Sequence, residues 1–182
     1  MNAHELADLI CRSLEVSPSL ELEGLGTFRR DASGNISFED GDAPRVFIAY
    51  ALEDRAVAEQ LYSDLEERGF SPWLETRKLL PGQNWPLRIR EAIEGADFFI
   101  GCFSKVSATK RGGFQSELRL ALECASRVPL DDMFLIPVRL NPCRVPTRIT
   151  RETQYVDLYP DWRAGVDRLA GTMRRHWTRQ RG

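Results

Sequence analysis

Histidine is almost missing from this chain: His4 and His176 stand near the two ends of 182 residues. A Cys/His or Ser/His/Asp nucleophilic arrangement is therefore hard to assemble, and any catalysis has to rest on carboxylates or on a bound cofactor. Cysteine is sparse as well. Cys11, Cys102, Cys124 and Cys143 are widely spaced with no Cys-x-x-Cys pair, which argues against a metal site, and Cys102 and Cys124 lie in apolar surroundings as small buried hydrophobes do. No apolar run approaches the roughly 20 residues that span a bilayer. The first residues, with Glu5 and Asp8, lack the basic start and apolar stretch of a secretory signal, so a soluble cytoplasmic protein with no membrane partner is expected. A Gly-x-x-x-x-Gly-Lys run is absent too, which excludes a P-loop phosphate site.

What is present is ordinary globular composition, 42% hydrophobic and 29% charged, in a length that suits one well-buried domain with a small appendage. Charge is distributed unevenly. Residues 1–44 hold nine acidic residues against three arginines, a net −6, while residues 45–182 hold 18 acidic and 22 basic residues, a net +4. This divides the chain into an acidic extension, 1–44, and a main domain, 45–182. An arm docked on a basic domain and an arm that is merely solvated both fit these charges. Within the arm, Leu6, Ile10 and Leu14 recur every four positions and predict a helix over 3–14. Residues 20–28, with turn chemistry at 31–35 before Ile36 and Phe38, predict a hairpin. Gly24 and Gly26 lack the third glycine and the following helix of a dinucleotide fingerprint, so they read as backbone permissiveness. The arm's charge argues against nucleic acid as a partner. Arg174, Arg175, Arg179 and Arg181 read as cations at a helix C-terminus.

Beyond Pro44 strands and helices alternate, the pattern of a parallel sheet covered by helices. Strands are expected at 46–50, 70–74, 97–103, 134–140 and 155–158, and helices at 54–68, 85–94, 113–126 and 162–177, with loops at 75–84 and 105–112. The run from Asp97 to Phe103 is almost continuously apolar and should be central. Ligands of open α/β sheets bind beyond the carboxyl ends of the strands, which directs attention to Ala51–Asp54, the Pro81-Gly82 loop and Ser104–Ser107. The last of these leads into the helix that carries Glu117. On that helix Phe114, Leu118, Ala121, Leu122 and Ala125 form one stripe, and Glu117 falls on its shoulder, about 60° from Phe114. A carboxylate turned toward the sheet is costly without a partner and marks a candidate site; a half-exposed Glu favoured by the helix dipole fits equally well.

The runs Phe47-Ile48-Ala49-Tyr50, Gly69-Phe70-Ser71-Pro72-Trp73-Leu74-Glu75, Leu79-Leu80-Pro81-Gly82-Gln83-Asn84-Trp85, Ala92-Ile93-Glu94-Gly95-Ala96-Asp97, Phe103-Ser104, Ser116-Glu117-Leu118 and Ile136-Pro137-Val138-Arg139-Leu140, in that order, resemble a TIR domain of the prokaryotic type. The resemblance covers about Arg45 to Trp177. It implies an α/β, flavodoxin-like three-layer domain with a central five-stranded parallel sheet, preceded here by the small helix-plus-hairpin arm. It also implies self-association into oligomers or filaments through the Pro81-Gly82 loop region, and leaves room for a separate sensor protein as partner. Enzymatic members cleave NAD, as substrate and not as cofactor, at the bond between nicotinamide and ribose, which points to signalling in antiphage defence or toxicity. By the same resemblance Glu117 is the catalytic residue, on the ribose hydroxyls. Tyr50 and Ala51 line the pocket, Leu80, Pro81 and Gly82 close over NAD, Ser104 lies beneath the ribose, and Phe114 supplies an aromatic face. The family usually has serine at Ala49, aspartate at Glu75, and tryptophan and a small residue at Gly113 and Phe114. The alternative is a non-enzymatic TIR module that only binds other TIR domains. A phosphoacceptor receiver domain shares the sheet but needs an aspartate where Phe103-Ser104 stand.

Overall fold

A strand flanked on both sides in a parallel sheet has no solvated face, so its side chains must suit two cores at once. How this chain meets that demand is seen in a computed structural model, which describes residues 3–22, 26–31, 34–40, 43–78, 82, 84–107, 112–129, 132–151 and 153–181. The chain divides into two units, Met1–Ala43 and Pro44–Gly182.

In the first unit, helix α1 (Ala3–Val16) buries Ile10 and Leu14. It is followed by β1 (Ser19–Leu22), β2 (Gly26–Arg30) and β3 (Ile36–Asp40), antiparallel in the order β1-β2-β3. The expected hairpin is thus a three-stranded meander. The expected turn at Asp31 and Asn35 joins β2 to β3, with the Asn35 backbone N–H donating to Oδ1 of Asp31 at 2.8 Å and Phe28 opposite Phe38; the added strand arises because residues 19–22 and 26–30 form separate strands that pair with each other.

The second unit contains β4 (Arg45–Ala49), β5 (Ser71–Trp73), β6 (Phe98–Phe103), β7 (Leu135–Arg139) and β8 (Val156–Asp157), all parallel in the order β5-β4-β6-β7-β8. Its helices are α2 (Arg55–Glu66), entered through a 3-10 turn at Leu52–Asp54, then α3 (Glu75–Lys78), α4 (Trp85–Glu94), α5 (Gly113–Ala125), α6 (Thr147–Thr150) and α7 (Trp162–Arg181). Every residue of β6 is buried. Strand side chains alternate between two cores. Val46, Ile48, Phe98, Ile100, Cys102, Ile136 and Val138 pack with Ala58, Leu61 and Leu65 of α2 and Val166, Leu169 and Met173 of α7. Phe47, Ala49, Phe99, Phe103 and Leu135 pack with Ile93 of α4 and Phe114, Leu118 and Ala121 of α5. On that second face Phe47 stacks on Trp73 at 4.8 Å and on Phe99 at 5.3 Å, so an aromatic row crosses β5, β4 and β6.

The sheet narrows at both margins. β5 has three residues, one of them the buried Pro72, and β8 has two. β8 pairs with β7, and the Arg139 guanidinium grips both oxygens of Asp157 at 2.5 and 2.7 Å and lies over the rings of Tyr155 and Tyr159. Three local details depart from the sequence expectations. The loop expected from Glu75 begins as α3, whose acidic first residue and basic last residues suit a helix dipole but are too few to show a period. α6 has the same short length, and α7 continues past Trp177 to Arg181.

α7 passes close to β8 at Gly165. A Cβ there would lie 2.5 Å from the Asp157 carbonyl oxygen and 2.7 Å from the Leu158 Cα, both backbone atoms. Alanine normally favours a helix by up to about 1 kcal/mol over glycine, yet this overlap forces the helix off the strand, at about 1–3 kcal/mol. Gly165→Ala should therefore lower Tm by several degrees in calorimetry. Gly171→Ala, whose Cβ meets only the flexible end of Arg175 at 3.5 Å, should leave Tm equal or higher.

Candidate functional site

The order β5-β4-β6 means that the chain moves to one side of β4 and then returns to the other, and the crevice above such a reversal is where open α/β sheets bind ligands. The carboxyl ends of these strands converge there on a cavity of about 390 Å³, within the range of small-molecule sites. The exit of β4 supplies Tyr50, Ala51, Leu52 and Glu53, the start of α3 supplies Glu75, and Ser107 comes from the turn after β6. α5 contributes Gly112, Gly113, Phe114 and Glu117.

The floor of this corner is a polar knot. Ser104 is fully buried, and its hydroxyl donates to Oδ2 of Asp54 at 2.6 Å while accepting from the N–H groups of Val106 at 3.2 Å and Ser107 at 3.1 Å. Ser107 is buried too, its hydroxyl accepting from the Ser104 N–H at 2.7 Å. The Lys105 N–H donates to Oδ1 of Asn141 at 3.0 Å, which ties the turn to the segment after β7. Gly112 then opens α5 with φ at +149°, a backbone setting that side chains other than hydrogen disfavour. From there Phe114 turns inward, 7% exposed and edge-on to Phe103 at 5.4 Å, so that it walls the cavity. One helical turn after Gly113 stands Glu117, and a Cβ on Gly113 would sit 3.9 Å from its Oε1.

Glu117 is half-buried, and among the described residues no side chain donates a hydrogen bond to it or pairs with it. Burial, aided by the negative charge of Glu75, pushes its pKa up to about 8. The Tyr50 hydroxyl donates to Oε1 of Glu75 at 3.3 Å, and burial together with Glu75 pushes the Tyr50 pKa up to about 12. The corner thus holds a neutral phenol, a carboxylate that accepts from it, and a second carboxyl group poised near neutral pH. Such a constellation can stabilise positive charge or bind hydroxyl groups. Among the described residues no group of three or more histidine, cysteine or acidic side chains is arranged to hold a metal ion.

Of the residues expected at the site, Tyr50, Ala51, Phe114 and Glu117 face one cavity. Ser104 does not line it: its hydroxyl is consumed by Asp54 and the turn, one layer below. Gly82 lies in an exposed turn with φ at +86° and is not part of the cavity wall, while Leu80 and Pro81 fall outside the described residues. Leu52, Glu53 and Ser107, from the expected segments Ala51–Asp54 and Ser104–Ser107, belong to the wall, and Glu75 and Gly112 join it without having been assigned to the site. Glu75 was within reach of sequence reasoning, because it lies two residues past the end of β5 at the same carboxyl edge.

A flavodoxin-like domain with a carboxylate-lined crevice at its switch point is the class that fold and site define. Residues 46–170 match the family model for the TIR domain. The chain belongs to the TIR domain family. Among solved structures it is similar to the TIR domain of the Toll-related receptor TRR-2 of Hydra magnipapillata, with 28% identity, a TM-score of 0.57, and coverage of 71% of this chain and 97% of that one. It shares the fold of a TIR-STING receptor from C. gigas (21% identity, TM-score 0.58, 70% of this chain and 38% of that one). It also shares that of a prokaryotic SEFIR domain (16% identity, TM-score 0.52, 72% and 92%). A curated relative, protein y4cD of Sinorhizobium fredii strain NGR234, is 26% identical over 111 residues, which are 61% of this chain and 17% of y4cD. The chain thus spans under a fifth of that relative. No helix among the described residues is long and apolar enough to cross a membrane.

The raised Glu117 pKa has a consequence for stability that needs no ligand. The ordinary value is 4.5 and the folded value about 8, so between these the folded state binds more protons than the unfolded one. Stability tied to the protonated form is then fully present below pH 4.5 and is lost as pH rises through about 8. Glu117→Gln should melt like the wild type at pH 4.5 and above it at pH 8.5. Parallel melting curves across this range would show that Glu117 titrates normally.

Proposed function

We propose that this chain is an NAD glycohydrolase that breaks the bond between nicotinamide and C1′ of the ribose, releasing nicotinamide and ADP-ribose or its cyclised form. The observation that carries this reading is the position of Glu117: a carboxyl group facing a cavity of about 390 Å³ at the carboxyl edge of the sheet, beside Tyr50, Ala51 and Phe114. The family resemblance supplies the chemistry. In NAD the ring nitrogen is already positive, so the electron pair of the C1′–N bond moves to the ring and nicotinamide departs neutral, with no general acid required. Positive charge develops on the ribose as in other glycoside cleavages. Glu117, as the anion, holds the ribose hydroxyls and stabilises that charge; water then adds to C1′ and loses a proton, or a group of the same molecule adds in its place. An electrostatic role suits a site that is partly shielded from solvent before the reaction begins.

Self-association as the switch also finds support. Trp85 and Leu87, at the start of α4 beside the Gly82 turn, are 52% and 49% exposed, an apolar surface adjoining the loop that the resemblance implicates in assembly. Cytoplasmic signalling in antiphage defence or toxicity, with a separate sensor protein, completes the reading. The same apolar surface favours the second reading, a TIR module that binds other TIR domains without turnover.

Incubating the protein with NAD at high protein concentration, or with a crowding agent, separates the two. Wild type should release nicotinamide, and Glu117→Gln should release it at least ~100-fold more slowly, the usual loss when one preorganised electrostatic group is removed. Because Glu117 acts as the anion, kcat/KM should rise with pH toward about 8. Absence of release by wild type under assembling conditions, or equal release by both proteins, would leave the interaction module standing alone.

A further inference from the structure

The small sheet of the first unit differs from the main sheet in its margins. β3 (Ile36–Asp40) is five residues long and holds neither proline nor lysine, which commonly blunt an edge. Among the described residues it pairs only with β2. Residues 32–33 and 41–42 adjoin its two ends, and two residues are too few to turn back and pair along it. In an antiparallel pair, residues alternate between those whose backbone groups face the partner strand and those whose groups face away. The Asp31 N–H donates to the Asn35 carbonyl at 2.9 Å, so 31 with 35, 29 with 37 and 27 with 39 are the hydrogen-bonded pairs. The Arg30 N–H donates to the Pro18 carbonyl at 3.0 Å, which assigns the even residues of β2 to β1 and agrees with this alternation. Ile36, Phe38 and Asp40 therefore turn their N–H and C=O groups away from β2. β1, the other margin, is one residue shorter and presents only Ser19 and Glu21 in this way.

We propose that β3 pairs with β3 of a second copy of this chain, antiparallel and centred on Phe38, so that two arms share one continuous sheet. In this register Phe38 meets the second copy's Phe38, and Ile36 meets the second copy's Asp40 at both ends. All three outward-facing residues then exchange backbone hydrogen bonds. The order of charges selects this register. Rows across the joined sheet run from Arg30 through Ile36 to the second copy's Asp40, and from Arg29 through Ser37 to the second copy's Glu39. The arginine end of each β2 thus lies two strand spacings, about 10 Å, from the acidic end of the other β3, close enough for attraction at physiological ionic strength. Other pairings fail on the same residues. Parallel addition in register sets Glu39 and Asp40 beside their own copies, and a slip toward the carboxyl end brings the two Glu39 face to face; like charges so placed are destabilising. A slip the other way sets Asp40 against Gly34, whose N–H is already taken by the Asp31 carbonyl at 3.0 Å. Each β3 has one side to offer, so the contact closes as a two-fold dimer. The net charge of −6 on residues 1–44 repels a second arm and keeps the contact weak, so it follows protein concentration. This contact is independent of the hydrolase reading and of the apolar surface at Trp85 and Leu87, and it delivers the main domains in pairs.

Amide hydrogen exchange of the full chain, followed residue by residue by NMR from dilute to concentrated protein, tests this alongside sedimentation. The N–H groups of Ser37 and Glu39, bonded to β2, should be protected at every concentration. Those of Ile36, Phe38 and Asp40 should exchange fast in the dilute monomer and slow at least ~10-fold as the dimer forms. Ile36→Asp sets an acid opposite the second copy's Asp40 at both ends of the pairing and should weaken the dimer about tenfold. Ile36 is 45% exposed and stands opposite Arg30 of its own β2, so this change should leave the arm folded, with Ser37 and Glu39 still protected. Adding Asp40→Lys to Ile36→Asp should restore the dimer, because each altered pair then joins opposite charges. Exchange at Ile36, Phe38 and Asp40 that is the same at all concentrations would overturn the proposal, and slow exchange already in the dilute monomer would mean that the chain itself covers this edge. Dimers that Ile36→Asp leaves unchanged would overturn it as well.

Discussion

The constraint behind this domain is that β6 has water on neither face. Six consecutive buried residues, Phe98 to Phe103, require helices both above and below the sheet, and α2 with α7 on one side and α4 with α5 on the other meet that requirement. Once both faces are covered, the open perimeter of the sheet lies at its strand ends. Residues that follow the strands, Tyr50, Glu75 and Ser107 among them, therefore line the cavity there. At the opposite end the Asp97 carboxylate accepts from the Arg45 N–H at 2.7 Å and from its guanidinium at 3.2 Å, closing off the amino edge between β4 and β6.

Polar atoms that the corner does bury are satisfied. Among the described residues no buried side-chain nitrogen or oxygen lacks a partner, and the Ser104, Ser107 and Asp54 network is the densest example. By joining the 3-10 turn after β4 to the turn after β6, this network fixes two walls of the cavity against each other. A site held in this way keeps its geometry without a ligand, which is what electrostatic stabilisation of a transient charge demands.

The sheet was legible because unbroken apolar runs such as Phe98–Phe103 and Leu135–Val138 admit few other readings in a chain that alternates with amphipathic helices. By periodicity Glu117 was legible only as a position on the shoulder of the apolar stripe, and its role came from the family resemblance; its neighbours on the wheel could not show what lay across from it. Glu75 and Tyr50 are 25 residues apart and Glu75 and Glu117 lie on separate helices, so their meeting is a product of strand order. Ser104 lies one layer below the cavity for a related reason: Asp54, 50 residues earlier, draws its hydroxyl beneath the wall. α3 and α6, four residues each, are shorter than any period that sequence can display.

The short margins of the five-stranded sheet bear on what happens when many copies crowd together. β5 offers three residues, with a proline that donates no hydrogen bond, and β8 offers two, pinned by Arg139. Neither margin gives an incoming strand a backbone template long enough to extend, so sheet-to-sheet fibrillation through this domain has no foothold. A contact between copies of this domain would then have to use side-chain surfaces, which recognise shape and charge.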